Sequence, residues 1–529
     1  MSSGFRKLWF AAHRARPTEI IATVVAVLVS FYVIAWPFTQ AHYPPITDLP
    51  FHAAASSILR HYFDPAFHFR EQFIVEPLKA PYWTIHGVAA LLSFFMPIAA
   101  ATKVTAVILL GMLPAGLAVM FHGMKKSPLL GLLGLPFVWN TLTHWGFINF
   151  MGALGLFAAV VGFTLMVVDK PTRNRQIGLA VTLFAVFATH IFRFPFALAA
   201  VVGTAIVMYP ATRRIRPIIA PLLPSLVVLV AWMVVREKEL SSQGMEPLRV
   251  HMERFAEVRG FLFGAFNDPT ELRLADRMYW LVGGALVVCA LAAIVEGRWE
   301  SFKIREKRWA IGVFVVPFCI TLVFLGLYLT LPMQIGIWWY VYPREILAAL
   351  FLAVGLSVDL PRSTIVRFAV LGAILAASVP QASLVAKQWA DYDSSTRDFE
   401  QITKALPPAP KLGYLVWDRH HPRFQSPTFI HLPAWVQAEK GGWLSFHFVE
   451  WNAWPIRYRK NSPDVPPPTP LRFEWTPERF DLAQRGRFFD WFLVRRAGGP
   501  DPRFLRQPEL KLVDHVGAWW LYHREESRR

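Results

Sequence analysis

The chain has 529 residues, of which 54% are hydrophobic and only 17% charged, with a mean hydropathy of +0.37. That balance excludes an ordinary soluble domain and points to a protein that crosses a membrane many times. The formal net charge of +18 would suit a nucleic-acid binder, but residues 386–529 hold 22 Lys and Arg against 17 Asp and Glu, leaving +13 on the apolar part. There the basic residues sit in short connections such as Lys125 and Lys126, Arg213 to Arg216, and Arg298 to Arg308. Basic residues flanking spans mark the cytoplasmic side and need no nucleic acid.

In chain order, Ile20 to Phe38 is an uncharged run long enough for a hydrocarbon core of ~30 Å. It exceeds the apolar region of a cleaved signal and has no small-residue cleavage site, so it reads as a retained anchor. With Arg6, Lys7, Arg14 and Arg16 inside, it delivers residues 40–82 to the outer face. Further spans are expected near 103–122, 128–144, 148–168, 177–193, 196–210, 217–235, 279–295, 309–331, 343–359 and 366–384, about eleven transmembrane helices in all. Trp83 to Pro97 is apolar but short. Counting it as a crossing would put Lys125 and Lys126 outside, so it reads as re-entrant or juxtamembrane. The 42-residue connection 236–277 then falls outside and is long enough for a lid or binding loop, although an amphipathic helix over Leu248 to Phe263 accounts for most of its charges.

After Ala386 the composition becomes Pro-rich, aromatic and charged, with β-like runs at Leu412 to Trp417, Trp443 to Phe448, Phe488 to Val494 and Gly517 to His523. Two domains are expected: a multi-span domain over 1–385 and an extracytoplasmic α/β domain over 386–529. Cys289 and Cys319 lie in apolar spans and support neither a disulfide framework nor a zinc site. Asp418-Arg419-His420-His421 contains adjacent histidines that do not point at a common centre without a specific turn, so no metal site is assigned.

The chemistry-bearing stretch follows the first span: Thr47-Asp48-Leu49-Pro50-Phe51-His52, opening a helix to about Phe63. Asp48 is either the cap of that helix or a general base; His52 is either a hydrogen-bonded interface histidine or the partner of Asp48. His52, Ser56 and Arg60 recur every four residues as a polar stripe, which predicts an amphipathic helix lying in the interface. Other polar groups sit at outer span ends: Asn149, His190, Arg193, Arg344 and Glu345. Arg344 either contacts a lipid phosphate or snorkels and pairs with Glu345.

An early acidic residue after the first span, Arg344 at an outer span end and a C-terminal outer domain together resemble the GT-C superfamily of membrane glycosyltransferases. The segments Trp145 to Phe150, His190 to Pro195, and Phe429 to His447 with Gly441-Gly442 look like bacterial proteins of that type. The resemblance implies a GT-C-like fold, a multi-pass place in the plasma membrane, a polyprenyl-phosphate-linked sugar as donor, and a glycan, lipid or protein acceptor. It also implies Asp48 as the catalytic carboxylate and Arg344 as a donor-phosphate contact, with Arg60, Asn149, His190, Arg193 and Glu345 lining the site. His52 stands where some members carry a second acid, so a divalent metal is possible but not supported, and no other cofactor is expected. A transporter, or a noncatalytic partner in envelope polysaccharide assembly, is the alternative; scarce mid-membrane charges weigh against coupled transport.

Overall fold

The computed structural model describes residues 17–77, 79–235, 249–336, 338–451, 454–470 and 472–525. Arg6, Lys7, Arg14 and Arg16, expected to hold the N-terminus inside, and the first part of the long connection lie outside these residues. The chain opens with α1 (Pro17–Ala35), α2 (Leu49–Arg60), a short strand β1 (Phe73–Val75) and α3 (Trp83–Leu92). The bundle follows as α4 (Ile98–Gly123), α5 (Thr141–Trp145), α6 (Ile148–Asp169), α7 (Arg173–Thr189), α8 (Phe194–Thr212), α9 (Ile219–Val235), α10 (Val258–Phe263), α11 (Pro269–Val295), α12 (Ile304–Thr330), α13 (Val341–Ala353) and α14 (Thr364–Thr403). Among the described residues, seven helices are long and apolar enough to cross a membrane: α4, α6, α8, α9, α11, α12 and α14.

Several expected spans have a different local structure. Residues 128–144 form a ten-residue 3-10 helix, Pro128–Phe137, and then the five-residue α5. Pro136 lacks the N–H that an α-helix would need there, and Asn140 restarts the helix by accepting Leu142 N–H at 2.9 Å and Thr143 N–H at 3.1 Å. The span expected at 343–359 is the thirteen-residue α13 continued by a 3-10 turn, Val354–Leu356. At 1.5 Å per residue the ten-residue α3 reaches about 15 Å, half of a ~30 Å hydrocarbon core.

Close packing of α4 and α6 comes from glycine. Gly116 faces Gly155 and Gly123 faces Gly162, and a Cβ added to Gly116 would stand 1.8 Å from the Gly155 carbonyl oxygen. The two backbones therefore approach in the way small residues permit between membrane helices. At one end of this pair Lys125 meets Asp169 at 3.0 Å; at the other, α6 begins beside α5.

The last helix, α14, has 40 residues and runs straight through the boundary expected at 385–386. At about 60 Å it is twice the thickness of a hydrocarbon core, so its second half projects beyond the bundle as a strut. There Trp389 packs edge-on against Phe38 and Trp139 at 5.1 and 5.2 Å, and Phe399 packs on Trp519 at 5.2 Å. The C-terminal part contains β2 (Lys411–Val416), α15 (Ala434–Lys440), β3 (Trp443–Leu444), β4 (Ile456–Tyr458), β5 (Trp491–Arg495), β6 (Leu510–Val516) and β7 (Trp519–Arg524). Five of the strands form one mixed sheet in the order β3-β2-β5-β7-β6, parallel at β3-β2-β5 and antiparallel beyond. The four expected β-like runs each hold a strand; β6, with only its first residue buried, lacked a clear apolar pattern.

The first outer loop is stitched into this domain. β1 pairs antiparallel with β4, and Gly442 N–H donates to the Phe67 carbonyl at 3.0 Å. This overturns the interfacial placement of α2: every residue from Leu49 to Ile58 is buried, because α15 covers the face that the sequence reading left to water. The expected helix at 248–263 is, over its described part, a 3-10 stretch (Met252–Glu257) followed by α10, with Tyr342 Oη donating to Glu257 at 2.6 Å.

Candidate active site

Asp48 is positioned by the backbone of α5. Thr47 N–H donates to His144 O at 2.9 Å and Asp48 N–H to Trp145 O at 3.2 Å. Directly below lies Gly146, with φ +106°, where an added Cβ would come within 2.7 Å of the Asp48 Cβ. Only glycine satisfies both the backbone angle and the contact.

The Asp48 side chain does not cap α2. Its backbone carbonyl accepts from Phe51 and His52 N–H at 3.1 and 3.2 Å, while its Oδ1 lies 3.1 Å from Nδ1 of His431. His431 Nδ1 is also 3.2 Å from the Thr47 carbonyl. Two acceptors on one ring nitrogen assign a proton to Nδ1, so that in the neutral ring the lone pair is on Nε2. That Nε2 is buried and has no hydrogen-bond partner among the described residues.

His52 takes a different course from the expected Asp48 pairing. Its Nδ1 is 3.0 Å from His86 Nε2, and its ring stacks on Trp454 at 5.1 Å. Burial lowers its pKa to about 4 against the opposing pull of Asp48, so at neutral pH it is an uncharged ring. His86 and His447 pack on the same indole at 4.5 and 5.5 Å. Arg60 is separated from Asp48 by the length of α2, about 18 Å for its twelve residues, and lies over Phe94 at 3.9 Å.

A second cluster surrounds Arg344. Its guanidinium lies 4.3 Å over the ring of Phe147, the residue after Gly146, and its Nη2 donates to Trp339 O at 2.8 Å. Glu345 does not pair with it. Instead Glu345 forms a bidentate bridge to Arg193 at 2.5 and 2.6 Å, both side chains being buried. Arg344 is thus left without a direct carboxylate partner among the described residues, with Glu345 and Asp48 acting on it only at longer range.

Around that charge, Nε of Arg344, Nδ1 of His190, Oδ1 of Asn149 and Oη of Tyr82 are buried without partners among the described residues. The Tyr82 ring is 5.6 Å from His190, and burial keeps its phenol protonated well above the usual range. Leaving such groups unmet costs about 1–3 kcal/mol each, and the two donors among them, Arg344 Nε–H and Tyr82 Oη–H, suit an oxyanion, whereas Asn149 Oδ1 can only accept. Asp48 lies within electrostatic reach of Arg344, with Gly146-Phe147 between them.

From the C-terminal domain, Glu474 comes within electrostatic reach of both Asp48 and His431, and neighbouring Trp475 packs on Trp145 at 6.4 Å. Sequence reasoning missed His431, Glu474, Tyr82, His86 and His447. Two of them lie within the singled-out segment Phe429 to His447, but nothing in their spacing related them to Asp48 more than 380 residues away. Among the described residues no group of three or more His, Cys, Asp or Glu side chains is arranged to hold a metal ion. Of the histidine pair in the C-terminal tail, His421 Nε2 lies 3.2 Å from the Ser395 hydroxyl, while Asp418 accepts Ala497 N–H at 2.6 Å.

No family model and no curated protein matches this chain. Its fold does match solved structures. The crystal structure of ArnT from Cupriavidus metallidurans bound to undecaprenyl phosphate aligns with 96% of this chain and 98% of that one, at a TM-score of 0.54 and 12% identity. The apo structure of the same protein aligns with 95% and 97%, at a TM-score of 0.55 and 12% identity. The chain therefore shares the fold of that protein along nearly its whole length, and seven of its described helices are long and apolar enough to cross a membrane.

Proposed function

We propose that this protein is a membrane glycosyltransferase that moves a sugar from a polyprenyl-phosphate donor to an acceptor at the outer face of the membrane. The observation that carries the reading is the juxtaposition of an acid–base pair, Asp48 and His431, with Arg344, which makes no direct ion pair among the described residues, across one glycine and one aromatic ring. Fold likeness to a protein crystallised with undecaprenyl phosphate supports the choice of lipid.

In this mechanism Arg344 and Tyr82 bind the donor phosphate, with Arg344 held by the Trp339 carbonyl and the ring of Phe147. Positive charge fixed beside the phosphate favours its departure, since it leaves with more charge than it carried as an ester. The Asp48–His431 pair at the other end of the site activates the acceptor hydroxyl. Attack from the side opposite the phosphate would invert the sugar's anomeric carbon. The N-terminus and the Lys125–Asp169 end of the bundle would be cytoplasmic, which puts the active site and sheet domain outside.

The test uses the purified full chain with lipid extracts carrying polyprenyl-phosphate sugars. Asp48→Asn should lower transfer by about 10²-fold or more while leaving undecaprenyl phosphate binding intact. Arg344→Ala should weaken that binding. If both variants transfer sugar at the wild-type rate, the reading fails.

A further inference from the structure

A second set of unmet polar atoms lies near His431, contributed by the C-terminal domain. Oε2 of Glu474 and Oη of Tyr414 and Tyr458 are buried with no hydrogen-bond partner among the described residues, as is Nε2 of His431. Glu474 is 6% exposed, Tyr414 1% and His431 4%. These groups form one neighbourhood: Glu474 feels His431 and Asp48, and Tyr414 feels Glu474, Glu450 and Tyr458. Glu450 in turn accepts from Thr469 Oγ1 at 3.4 Å.

Its walls are aromatic. Phe446 packs on Phe473 and Trp451 at 5.6 Å each, Tyr414 on Phe473 at 6.1 Å, and Phe448 on His431 at 5.2 Å. Flat apolar faces interleaved with hydroxyl and carboxyl groups suit a ligand that has both ring C–H faces and many hydroxyls, the chemistry of a carbohydrate. Burial raises both Glu450, to about 8, and Glu474, which favours neutral carboxyls more than in exposed side chains and suits hydrogen bonding with neutral hydroxyls.

Resting on the transferase reading above, we infer that the C-terminal domain holds the acceptor, a carbohydrate hydroxyl seated between Glu474 and Tyr414, and that Nε2 of His431 takes its proton. Asp48 then acts as the positioning residue. It accepts the Nδ1–H of His431, fixes the tautomer with the lone pair on Nε2, and stabilises the imidazolium that forms. As the acceptor O–H proton passes to Nε2, the acceptor oxygen bonds to the anomeric carbon. The anomeric carbon–oxygen bond to phosphate breaks, and its electron pair leaves on the phosphate held at Arg344. Proton loss from Nε2 to water or to the released phosphate resets the site. The titratable groups around His431 are Asp48, Glu474 and His447.

The experiment compares His431→Asn, His431→Gly, Glu474→Gln and Tyr414→Phe with the wild type in the full chain. Lipid extract supplies the donor and an envelope glycan fraction supplies the acceptor. His431→Asn retains an amide N–H to meet Asp48 but has no basic nitrogen. Its transfer should fall by about 10²–10⁴-fold with loss of the acidic limb of the pH–rate profile, while undecaprenyl phosphate binding stays at the wild-type level. Imidazole should restore transfer to His431→Gly, and Tyr414→Phe and Glu474→Gln should raise KM for the glycan more than they lower kcat. A His431→Asn protein within about tenfold of wild type, with an unchanged pH profile, would leave His431 a mere support for Asp48 and overturn the inference. Unchanged KM in both Tyr414→Phe and Glu474→Gln would show that the glycan does not sit at these groups and also overturn it. If the wild type transfers nothing, the transferase reading falls and takes this inference with it; if it transfers and His431→Asn keeps pace, only the inference falls.

Discussion

Gly146→Ala offers a sharp test of how Asp48 is held. Two costs add at this position. At φ +106° a residue with a Cβ pays backbone strain of about 1–3 kcal/mol. The new methyl would also stand 2.7 Å from Asp48 Cβ and 2.9 Å from Asp48 N, an overpacking that typically costs about 1–3 kcal/mol. The sum, roughly 2–6 kcal/mol, is a large part of the ~5–15 kcal/mol by which native domains are stable. Partial relief is available if the Thr47–Asp48 segment lifts from α5, but that lengthens the Asp48–His431 contact of 3.1 Å. A displacement of ~1 Å at such a group is worth about 10²-fold in rate. Thermal unfolding in detergent should therefore show a clear loss of stability, and the surviving folded protein should transfer sugar about 10²-fold more slowly. Gly283→Ala on α11, with nothing within 4 Å of its added Cβ, is the control and should be neutral or slightly stabilising. If Gly146→Ala matches the wild type in both stability and transfer, Asp48 is not seated on Gly146 and the geometry of the site is wrong.

Two further outcomes follow from buried charge. Arg193→Met strands the Glu345 carboxylate and should cost about 3–5 kcal/mol, whereas the double variant Arg193→Met/Glu345→Leu should recover most of that in the same unfolding assay; strictly additive losses would refute the coupling. Stability should also peak at mildly acidic to neutral pH. Burial pushes Glu450 up to about 8, so the folded chain keeps a proton that the unfolded chain releases above about 4.5, and stability falls as pH rises through that window, by at most ~1.4 kcal/mol per unit. His52 and His447 are lowered to about 4 and about 3, so below 6.5 the unfolded chain takes up protons that the folded chain refuses, and stability falls as pH drops from 6.5 towards 4. Denaturant titrations across pH should show both limbs, and Glu450→Gln should flatten the alkaline one while steepening the acidic one between about 4.5 and 6.5.

What the amino-acid order determined by itself is what depends on local composition and period. Apolar runs such as Ile148 to Val168 can only be buried in lipid or protein, so the membrane bundle was legible from them, as were the strands at Leu412 and Trp519. Position along the chain also put Asp48 and Arg344 at span ends, without saying what each would touch. Proline punctuation in 128–144 was visible too, yet whether it would yield an α-span or a 3-10 stretch depended on packing against Pro114 of α4.

Tertiary structure alone decided the partners. Asp48 could have capped α2, and with no neighbour that would have been the nearest use of its carboxylate; the backbone of α5 and the ring of His431 turned it elsewhere. Arg344 precedes Glu345 in sequence, but adjacent residues on a helix point in different directions, and the bridge went to Arg193 from another helix end. The stripe on α2 read as a wet face because nothing local reveals that a domain encoded nearly 400 residues later will cover it. Contacts between elements far apart in sequence leave no period within either one. That is why the paired Asp48 and His431, with a lone pair left open on Nε2, became visible only in the folded chain.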